Sequence, residues 1–325
     1  MNLHYTLHSG KNSKINYYAR NYFRLATPKA LLRHRLPALL EQAAQRDDYD
    51  YILSRVDYYN RLTPTTSVDL QQWNEHAVML AKQPMTRQKV YFFDSYEYAR
   101  YFPQDKRWVL LPGDVNYIAS LPSIVKSRPI AGDNACSVLL NMDKVRHFIF
   151  VNDRKTFLQK KPMAIFRGKV QRKPIRLDFM QKFFGNPMFN IGAIEQDPPE
   201  WHSEKLTIGD HLEYKFVISL EGNDVASNLK WVMSSNSIAV MPEPTCETWF
   251  MEGCLKPDYH YIRVRSDFAD LEERLHYYID HPDEAQAIIN HAHDYVDQFR
   301  DARRERLISL LVLQKYFQFT DNLHE

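Results

Sequence analysis

The feature that most constrains this sequence is a strand–turn–helix–strand pattern between Tyr214 and Tyr261. Lys215–Leu220 is an apolar run of strand length, and it ends at the polar turn Glu221–Asp224. Apolar residues then recur at helical spacing from Val225 to Met233, and Ser237–Met241 forms a second apolar run. Continuous apolar runs are typical of parallel strands that are covered on both faces. The pattern therefore predicts a doubly wound α/β fold.

The polar turn after the first run has the composition of a ligand site. Ligands of parallel sheets bind at the carboxyl ends of the strands, where this turn falls. Its glycine allows close approach to the backbone, and the helix start that follows offers free N–H groups and partial positive charge. An ordinary turn with an acid near the helix start is the alternative interpretation. The candidate ligand residues are Glu221, Gly222, Asn223, Asp224, Ser227, Asn228 and Lys230, whose ammonium could neutralise a phosphate.

A second candidate phosphate site lies earlier in the chain. Met163–Phe166 is predicted to be a strand, and residues 154–177 contain no acid. A strand that leads through Arg-Gly and a basic loop into a helix near Pro174 is suited to phosphate binding. A solvated or nucleic-acid-binding loop is the alternative. The candidate residues are Arg167, Gly168 and Lys169.

The first half of the chain also shows alternating elements. Apolar runs predict strands at Tyr51–Val56, Val90–Phe93, Trp108–Leu111 and His147–Val151, with a helix over Val68–Lys82. Such alternation favours a second doubly wound sheet. Asp94 and Asp114 each follow a predicted strand, so each is a candidate acid at a sheet edge.

The order of these motifs resembles glycosyltransferase family 90. The segments EGNDVASNLKW, SSNSIAVMPEP, ETWFMEGCLKPDYHYI and SDFADLEERL carry the resemblance, which is strongest from Tyr214 to about Phe299. It continues more weakly through Phe166-Arg167-Gly168 and the earlier PSIVKSRP segment. The branch that acts on bacterial lipooligosaccharide is the most similar, and the family also contains protein O-glucosyltransferases.

The resemblance implies a GT-B-like α/β fold with two Rossmann-like domains and a donor cleft between them. We expect an N-terminal acceptor-side domain over residues 1–150 and a nucleotide-sugar-binding domain over residues 151–300. The C-terminal helix, residues 301–325, is expected to pack back on the N-terminal domain.

The implied activity is an inverting, metal-independent transfer of glucose or galactose from UDP-glucose or UDP-galactose to the inner core of lipooligosaccharide, at a heptose. The resemblance places Arg167 at the donor diphosphate and the base on an Asp after a strand of the first domain. Asp94 is the candidate and Asp114 its rival, although either could be a turn or capping residue. Many family members have Arg where this chain has Asn228, so Arg167, Lys169 or Lys230 would carry more of the phosphate charge.

Two further acids follow the strand predicted at Ser237–Met241. Glu243 and Glu247 are expected to hold ribose or sugar hydroxyls of the donor. A helix-start acid that favours the helix dipole is the alternative for Glu247.

The first forty residues contain cations but no acid. A basic, partly amphipathic segment with a helix over Pro28–Leu40 can dock on an anionic membrane surface, or it can be a solvated face. The candidate acceptor or membrane residues are Arg20, Arg24, Arg33 and Arg35.

Length and composition narrow the classes of protein to which the chain can belong. A length of 325 residues accommodates two domains, and a net charge of +2 without interleaved basic and aromatic residues argues against nucleic acid. Three cysteines imply no disulfide framework, and neither a metal-ligand spacing, a signal peptide nor an apolar span is evident. We expect no metal, no cofactor beyond the UDP-sugar co-substrate, and a cytoplasmic protein peripheral at the inner membrane. The alternatives are a capsule, another polysaccharide or a protein as acceptor, or a non-enzyme that binds anionic lipid or nucleic acid.

Overall fold

The computed structural model describes residues 9–321 and 323. Contacts within the chain group these residues into two compact units. The sheet unit comprises the described residues up to Asn12, Arg146–Pro244 and Glu252–Gln298. The helix-rich unit comprises Ser13–Val145, Thr245–Met251 and the described residues from Phe299 onward. The domain division expected at residues 150 and 300 stays a prediction.

The described residues form α-helices in both units. In chain order they are α1 (Lys14–Leu25), α2 (Lys29–Ala44), α3 (Tyr49–Tyr59), α4 (Leu70–His76), α5 (Lys89–Ala99), α6 (Lys144–His147), α7 (Pro174–Phe183), α8 (Ile208–His211), α9 (Leu229–Met233), α10 (Leu271–Asp280), α11 (Pro282–Asp297) and α12 (Ala302–Thr320).

The strands are short, as is usual for twisted sheets in α/β proteins. They are β1 (Val78–Met79), β2 (Arg107–Leu110), β3 (Ser123–Val125), β4 (Ser127–Pro129), β5 (Ser137–Leu139), β6 (Lys161–Gly168), β7 (Phe189–Ala193), β8 (Tyr214–Ile218), β9 (Ile238–Met241), β10 (Cys246–Thr248) and β11 (Ile262–Arg263).

The sheet unit contains a five-stranded sheet in which every pairing is parallel, with the order β11-β9-β8-β6-β7. All five residues of β8 and all four of β9 are buried, as their continuous apolar runs predicted. The chain moves outward first from β6 to β7 and then returns to β8 on the other side of β6. The order therefore reverses between β6 and β8, which makes this the doubly wound fold expected from the sequence.

Helices cover this sheet through a largely aromatic and aliphatic core. Phe179 of α7 contacts Phe166, Phe183 and Phe268 ring to ring, with centroids 5.4–5.7 Å apart. The apolar residues of α10 and α11 complete the cluster. α7 begins at Pro174, as predicted, because proline suits the first turn, where its missing N–H would have no helical partner.

The helix-rich unit has less sheet than expected. β2, β3 and β5 are parallel neighbours, β1 is antiparallel to β2, and β4 pairs separately with β10. The strands predicted at Tyr51–Val56 and Val90–Phe93 are wrong, because these residues lie in α3 and α5. The strand predicted at His147–Val151 is also wrong, since α6 ends at His147 and no strand follows there.

α12 lies at the centre of the helix-rich unit. Its residues Leu307–Leu313 are all buried, and the helix packs against α3, α2 and α5. Asn60 Nδ2 donates to Val312 O at 3.1 Å, and the Tyr316 hydroxyl donates to Pro122 O at 2.8 Å. These bonds join the C-terminal helix to the loops after α3 and before β3.

Candidate functional site

The two predicted phosphate corners meet at one edge of the sheet unit. β6 ends at Arg167-Gly168, and the turn Glu221–Asp224 follows β8 shortly after Ile218. β6 and β8 are parallel neighbours, with Ile165 opposite Val217, so both segments emerge at the same carboxyl edge. This edge is the point at which the strand order reverses, and ligands of doubly wound sheets bind in the crevice at such a point.

Arg176, in the first turns of α7, joins the two corners. Its guanidinium donates to Lys169 O at 2.9 Å on one side, and to Leu220 O at 2.7 Å and Glu221 O at 2.9 Å on the other. Burial lowers the pKa of Arg176 to about 10, against the opposing charges of Glu195 and Asp224. The group is therefore still cationic at neutral pH and places positive charge between the loops. Arg176 lies in the acid-free segment 154–177, but no local pattern singled it out as the residue between the two loops.

Gly222 has a packing reason to lack a side chain. A Cβ built there would lie 3.2 Å from Arg176 Nη2, closer than most side chains tolerate. The missing side chain of Gly222 thus leaves room for the Arg176 guanidinium, whereas the sequence had suggested that it leaves room for a ligand. Beside it, the Lys173 ammonium donates to the Asn223 side chain, and Lys169 is exposed. The edge therefore combines the cations Lys169, Lys173 and Arg176.

Arg167 is only half-buried, but its guanidinium is already bonded. It donates to Phe166 O at 2.8 Å, Asn190 O at 2.9 Å and Asn190 Oδ1 at 2.6 Å. Burial lowers its pKa, with a smaller opposing contribution from Tyr214. Its predicted contact with a diphosphate stays a prediction.

The helix after the polar turn is shorter than expected. It begins at Leu229, not at Val225, and it has only five residues. Asn228 Nδ2 donates to Ile218 O at 3.1 Å and so secures the end of β8, while Ser227 is exposed and Asp224 is buried. The first turn of this helix is buried, so its backbone N–H groups do not face solvent as the sequence had suggested.

Lys230 does not lie in a solvent-accessible position. Its ammonium is 2.5 Å from Glu252 Oε1, and both side chains are buried within the sheet unit. A buried lysine needs a compensating charge, and Glu252 supplies it. A phosphate would have to displace Glu252 to reach this ammonium. The predicted donor contact of Lys230 stays a prediction.

Glu243 and Glu247 have different environments. Glu243 is exposed after β9 and pairs with Arg263 Nη1 at 3.1 Å, at the carboxyl end of the neighbouring β11. Glu247 is buried in β10, where it accepts from Arg128 Nε at 2.8 Å and from the Tyr58 hydroxyl. Glu247 thus joins β10 to β4 and α3 within the helix-rich unit, and it does not lie at a helix start. Its predicted contact with a sugar hydroxyl stays a prediction.

The two candidate bases are both engaged in structural contacts. Asp94 is wrongly predicted as a strand-end residue: it lies inside α5 and is fully buried. It accepts from the Tyr17 hydroxyl at 2.8 Å and Lys144 N at 3.0 Å, and burial raises its pKa. Asp114 does follow β2, and its carboxylate is 2.5 Å from the buried Lys126 ammonium.

A third acid, which the sequence analysis missed, is better exposed. Asp133 lies between β4 and β5 and lines a cavity of about 680 Å³ in the helix-rich unit. Its neighbour Gly132 has φ +89°, a backbone conformation that residues with a side chain rarely adopt, so glycine is favoured there. Asn134 accepts from Arg61 Nη1 at 2.7 Å, which brings a cation to the cavity. The other polar lining residues are Thr63, Thr65, Thr66, Ser67 and Cys136.

The four predicted acceptor or membrane arginines are not equivalent. Arg20, Arg33 and Arg35 are exposed on α1 and α2. Arg24 is partly buried and pairs with Glu97 Oε1 at 2.6 Å. Arg24 therefore belongs to the contact between α1 and α5, and the other three remain candidates.

The described part of the chain contains neither a metal-binding cluster nor a membrane-spanning helix. Within residues 9–321 and 323, no group of three or more His, Cys, Asp or Glu side chains is arranged to hold a metal ion. Over the same residues, no helix has the length and apolar character needed to cross a bilayer. Metal independence stays a prediction.

The parallel sheet with cations and a glycine at its switch point is the type of site that α/β proteins use for phosphorylated ligands. The sequence profile described as glycosyl transferase family 90 matches residues 138–319, which is more than half of the chain. The protein belongs to this family and is a glycosyltransferase.

Individual relatives agree with this assignment. The chain is 37% identical to "O-glucosyltransferase LpsA" of Dichelobacter nodosus over 95% of its own length and 96% of the relative. It is 32% identical to "Protein O-glucosyltransferase 2" of Danio rerio over 38% of this chain and 26% of the relative. It is 23% identical to "Protein O-glucosyltransferase 3" of Homo sapiens over 51% of this chain and 34% of the relative.

Proposed function

We propose that the protein transfers a hexose from a UDP-sugar to a hydroxyl of the lipooligosaccharide inner core, with inversion and without a metal. The proposed binding of the UDP-sugar donor is supported by the cations at the switch point of the sheet unit. Arg167 lies at the end of β6, Lys169 follows directly after the strand, Arg176 joins both corners, and Lys173 lies beside the polar turn. A leaving diphosphate needs fixed positive charge when no metal is bound, and charged hydrogen bonds supply it.

In this proposal, the acceptor binds in the cavity of the helix-rich unit. Asp133 is its exposed carboxylate, unlike the buried Asp94 and the lysine-paired Asp114. As general base, Asp133 would take the proton of the acceptor hydroxyl while that oxygen attacks the anomeric carbon. The bond from that carbon to the diphosphate breaks, and UDP leaves with the electron pair. Attack from the face opposite the leaving group inverts the anomeric centre.

Glucose is the favoured sugar, and lipooligosaccharide is the favoured acceptor. The bacterial relative named "O-glucosyltransferase LpsA" matches nearly the whole chain, whereas the matches to relatives named protein O-glucosyltransferases cover about half of it or less. A protein acceptor is therefore the second candidate. A lipooligosaccharide acceptor would be presented at the inner leaflet, so the enzyme would work peripherally at that membrane.

Calorimetry with UDP tests the donor site. Arg167→Ala and Lys169→Ala should each weaken UDP binding by roughly tenfold or more, since a charged hydrogen bond contributes about 1.5–3 kcal/mol. Lys161→Ala is the matched control, because Lys161 is an exposed cation on the same strand but at its opposite, amino end. Equal UDP affinity in all four proteins would contradict the proposed site, and so would an effect confined to Lys161→Ala.

A further inference from the structure

α1 is an amphipathic helix whose apolar side faces solvent and whose polar side faces the protein. Its apolar residues Ile15, Ala19, Tyr22 and Phe23 follow the i, i+4, i+7, i+8 spacing that normally faces a protein core. In the structure these four side chains are exposed, with Ile15 at 82% and Phe23 at 77%. We call these four residues the α1 apolar face.

The opposite, polar face of the same helix is the one that is fixed to the protein. The Tyr17 hydroxyl donates to Asp94 at 2.8 Å, and Arg24 pairs with Glu97 at 2.6 Å, both on α5. Asn21, which lies between them, is buried and donates to Tyr17 O at 2.9 Å. These bonds determine the rotation of α1 about its axis. At the border of the apolar face, Tyr22 packs edge to face against Phe93 of α5, with ring centroids 5.1 Å apart, whereas Ile15 and Phe23 extend into solvent.

Cations surround this face. Lys14 and Arg20 lie on α1 and are exposed, and the exposed Lys89 donates to the Tyr22 hydroxyl at 2.9 Å. Residues 9–40 contain no Asp or Glu, so acids of that segment do not oppose the positive charge. An anionic bilayer surface offers both complements at once: lipid chains for the apolar residues and negative headgroups for the cations.

We propose that the α1 apolar face inserts into the headgroup boundary of an anionic membrane, with Ile15 and Phe23 as the anchors. Tyr22 would lie at headgroup level, where amphipathic aromatic rings are favoured. The inference deepens the proposed function by assigning the residues that hold the enzyme at its membrane-bound acceptor. It rests on the proposed function only in one respect: a membrane-bound acceptor is the reason that the enzyme would need to bind a membrane.

Vesicle co-sedimentation of the full chain, without donor or acceptor, tests this directly. The vesicles contain phosphatidylethanolamine with phosphatidylglycerol, and phosphatidylcholine vesicles serve as the uncharged comparison. We expect Ile15→Ser/Phe23→Ser to weaken binding by at least about tenfold, because two exposed apolar anchors are lost. Arg20→Gln should weaken it by about fivefold at low salt, and high salt should remove that difference.

Leu158→Ser is the matched control. Leu158 is 70% exposed, belongs to the sheet unit and lies in the short helix Phe157–Gln159. It should leave vesicle binding unchanged. Thermal unfolding should be the same for all variants, since the replaced side chains are exposed. Insertion itself is measured by tryptophan fluorescence. Brominated phospholipid should quench the emission of the tryptophan added in Phe23→Trp but not that of the tryptophan added in Leu158→Trp.

Equal vesicle binding by the wild type and Ile15→Ser/Phe23→Ser would overturn the proposal. Light scattering of the lipid-free protein provides a second decisive outcome. A wild-type dimer that becomes monomeric in Ile15→Ser/Phe23→Ser would show that a second copy covers the face. Vesicle binding with normal salt dependence but no UDP affinity would instead leave this proposal standing and contradict the proposed function.

Discussion

Lys230 Nζ lies 2.5 Å from Glu252 Oε1, and neither side chain is accessible to solvent. Lys230→Ala should therefore act mainly on stability, because it removes one partner of a buried ion pair. We expect the free energy of unfolding to fall by about 3–5 kcal/mol in urea titrations. UDP affinity, measured where the variant is folded, should change by less than about twofold.

Two variants control for this result. Lys230→Met/Glu252→Gln removes both charges and should recover most of the lost stability. Lys155→Ala breaks the half-exposed pair of Lys155 with Glu213 and should cost no more than about 1 kcal/mol. A Lys230→Ala protein of normal stability with much weaker UDP binding would restore the donor role predicted from the sequence.

Arg176 is expected to act as a positioning residue for the diphosphate. Arg176→Ala should weaken UDP binding by roughly tenfold or more, because the loops after β6 and β8 lose their common cation. Uridine, which carries no phosphate, should bind with nearly unchanged affinity in calorimetry. Arg176→Lys keeps the charge without the planar fork, so its UDP affinity should be intermediate. Parallel losses for UDP and uridine would indicate a general disruption of the site.

His260 should make the folded state sensitive to acid. Burial, with positive charge from His291 and Lys256, lowers its pKa to about 4, and its Nδ1 accepts from Lys256 N at 2.9 Å. An unfolded histidine titrates near 6.5, so between about pH 6.5 and 4 the unfolded state binds more protons. Stability contributed by His260 is therefore present at pH 7 and is lost as the pH falls through this window.

The measurement is urea unfolding at pH 7 and pH 5 for the wild type and His260→Asn. Asparagine keeps an acceptor for Lys256 N but does not titrate. The wild type should lose about 2 kcal/mol more than the variant between these pH values, as the two pKa values require. Identical losses would place the pKa of His260 near its ordinary value.

Turnover should survive chelation. In the proposed donor site, the cations Arg167, Lys169, Lys173 and Arg176 would supply the positive charge that a metal provides in other transferases. We expect the rate of sugar transfer in excess EDTA to equal the rate in buffer. Loss of transfer in EDTA, with recovery on adding manganese or magnesium, would show that the phosphate site works through a metal.

The sheet unit was largely predictable, whereas the helix-rich unit was not. β8 and β9 are buried on both faces, so their sequences are continuous apolar runs. In α5, Tyr91, Phe92 and Phe93 are also consecutively buried, because other elements surround the helix. A short apolar run therefore cannot separate a surrounded helix from a buried strand.

The individual contacts of the candidate site could not be predicted from the sequence. Arg167-Gly168 and Glu221–Asp224 share an edge because β6 and β8 are parallel neighbours, and parallel strands align their carboxyl ends. The partner of Lys230 is Glu252, twenty-two residues further along the chain, and no local sequence pattern predicts this pairing. Asp133 follows a glycine in a turn, a weak signal that many surface turns share.

The most direct test of the account is sugar transfer by Asp133→Asn. With UDP-glucose and membrane-presented lipooligosaccharide, we predict that the rate falls by at least about 100-fold while UDP affinity is unchanged, as loss of a general base requires. Asp105→Asn, an exposed acid elsewhere in the helix-rich unit, should transfer at the wild-type rate. Wild-type transfer by Asp133→Asn would contradict the assigned base, and absence of transfer by the wild type from either UDP-glucose or UDP-galactose would contradict the proposed activity.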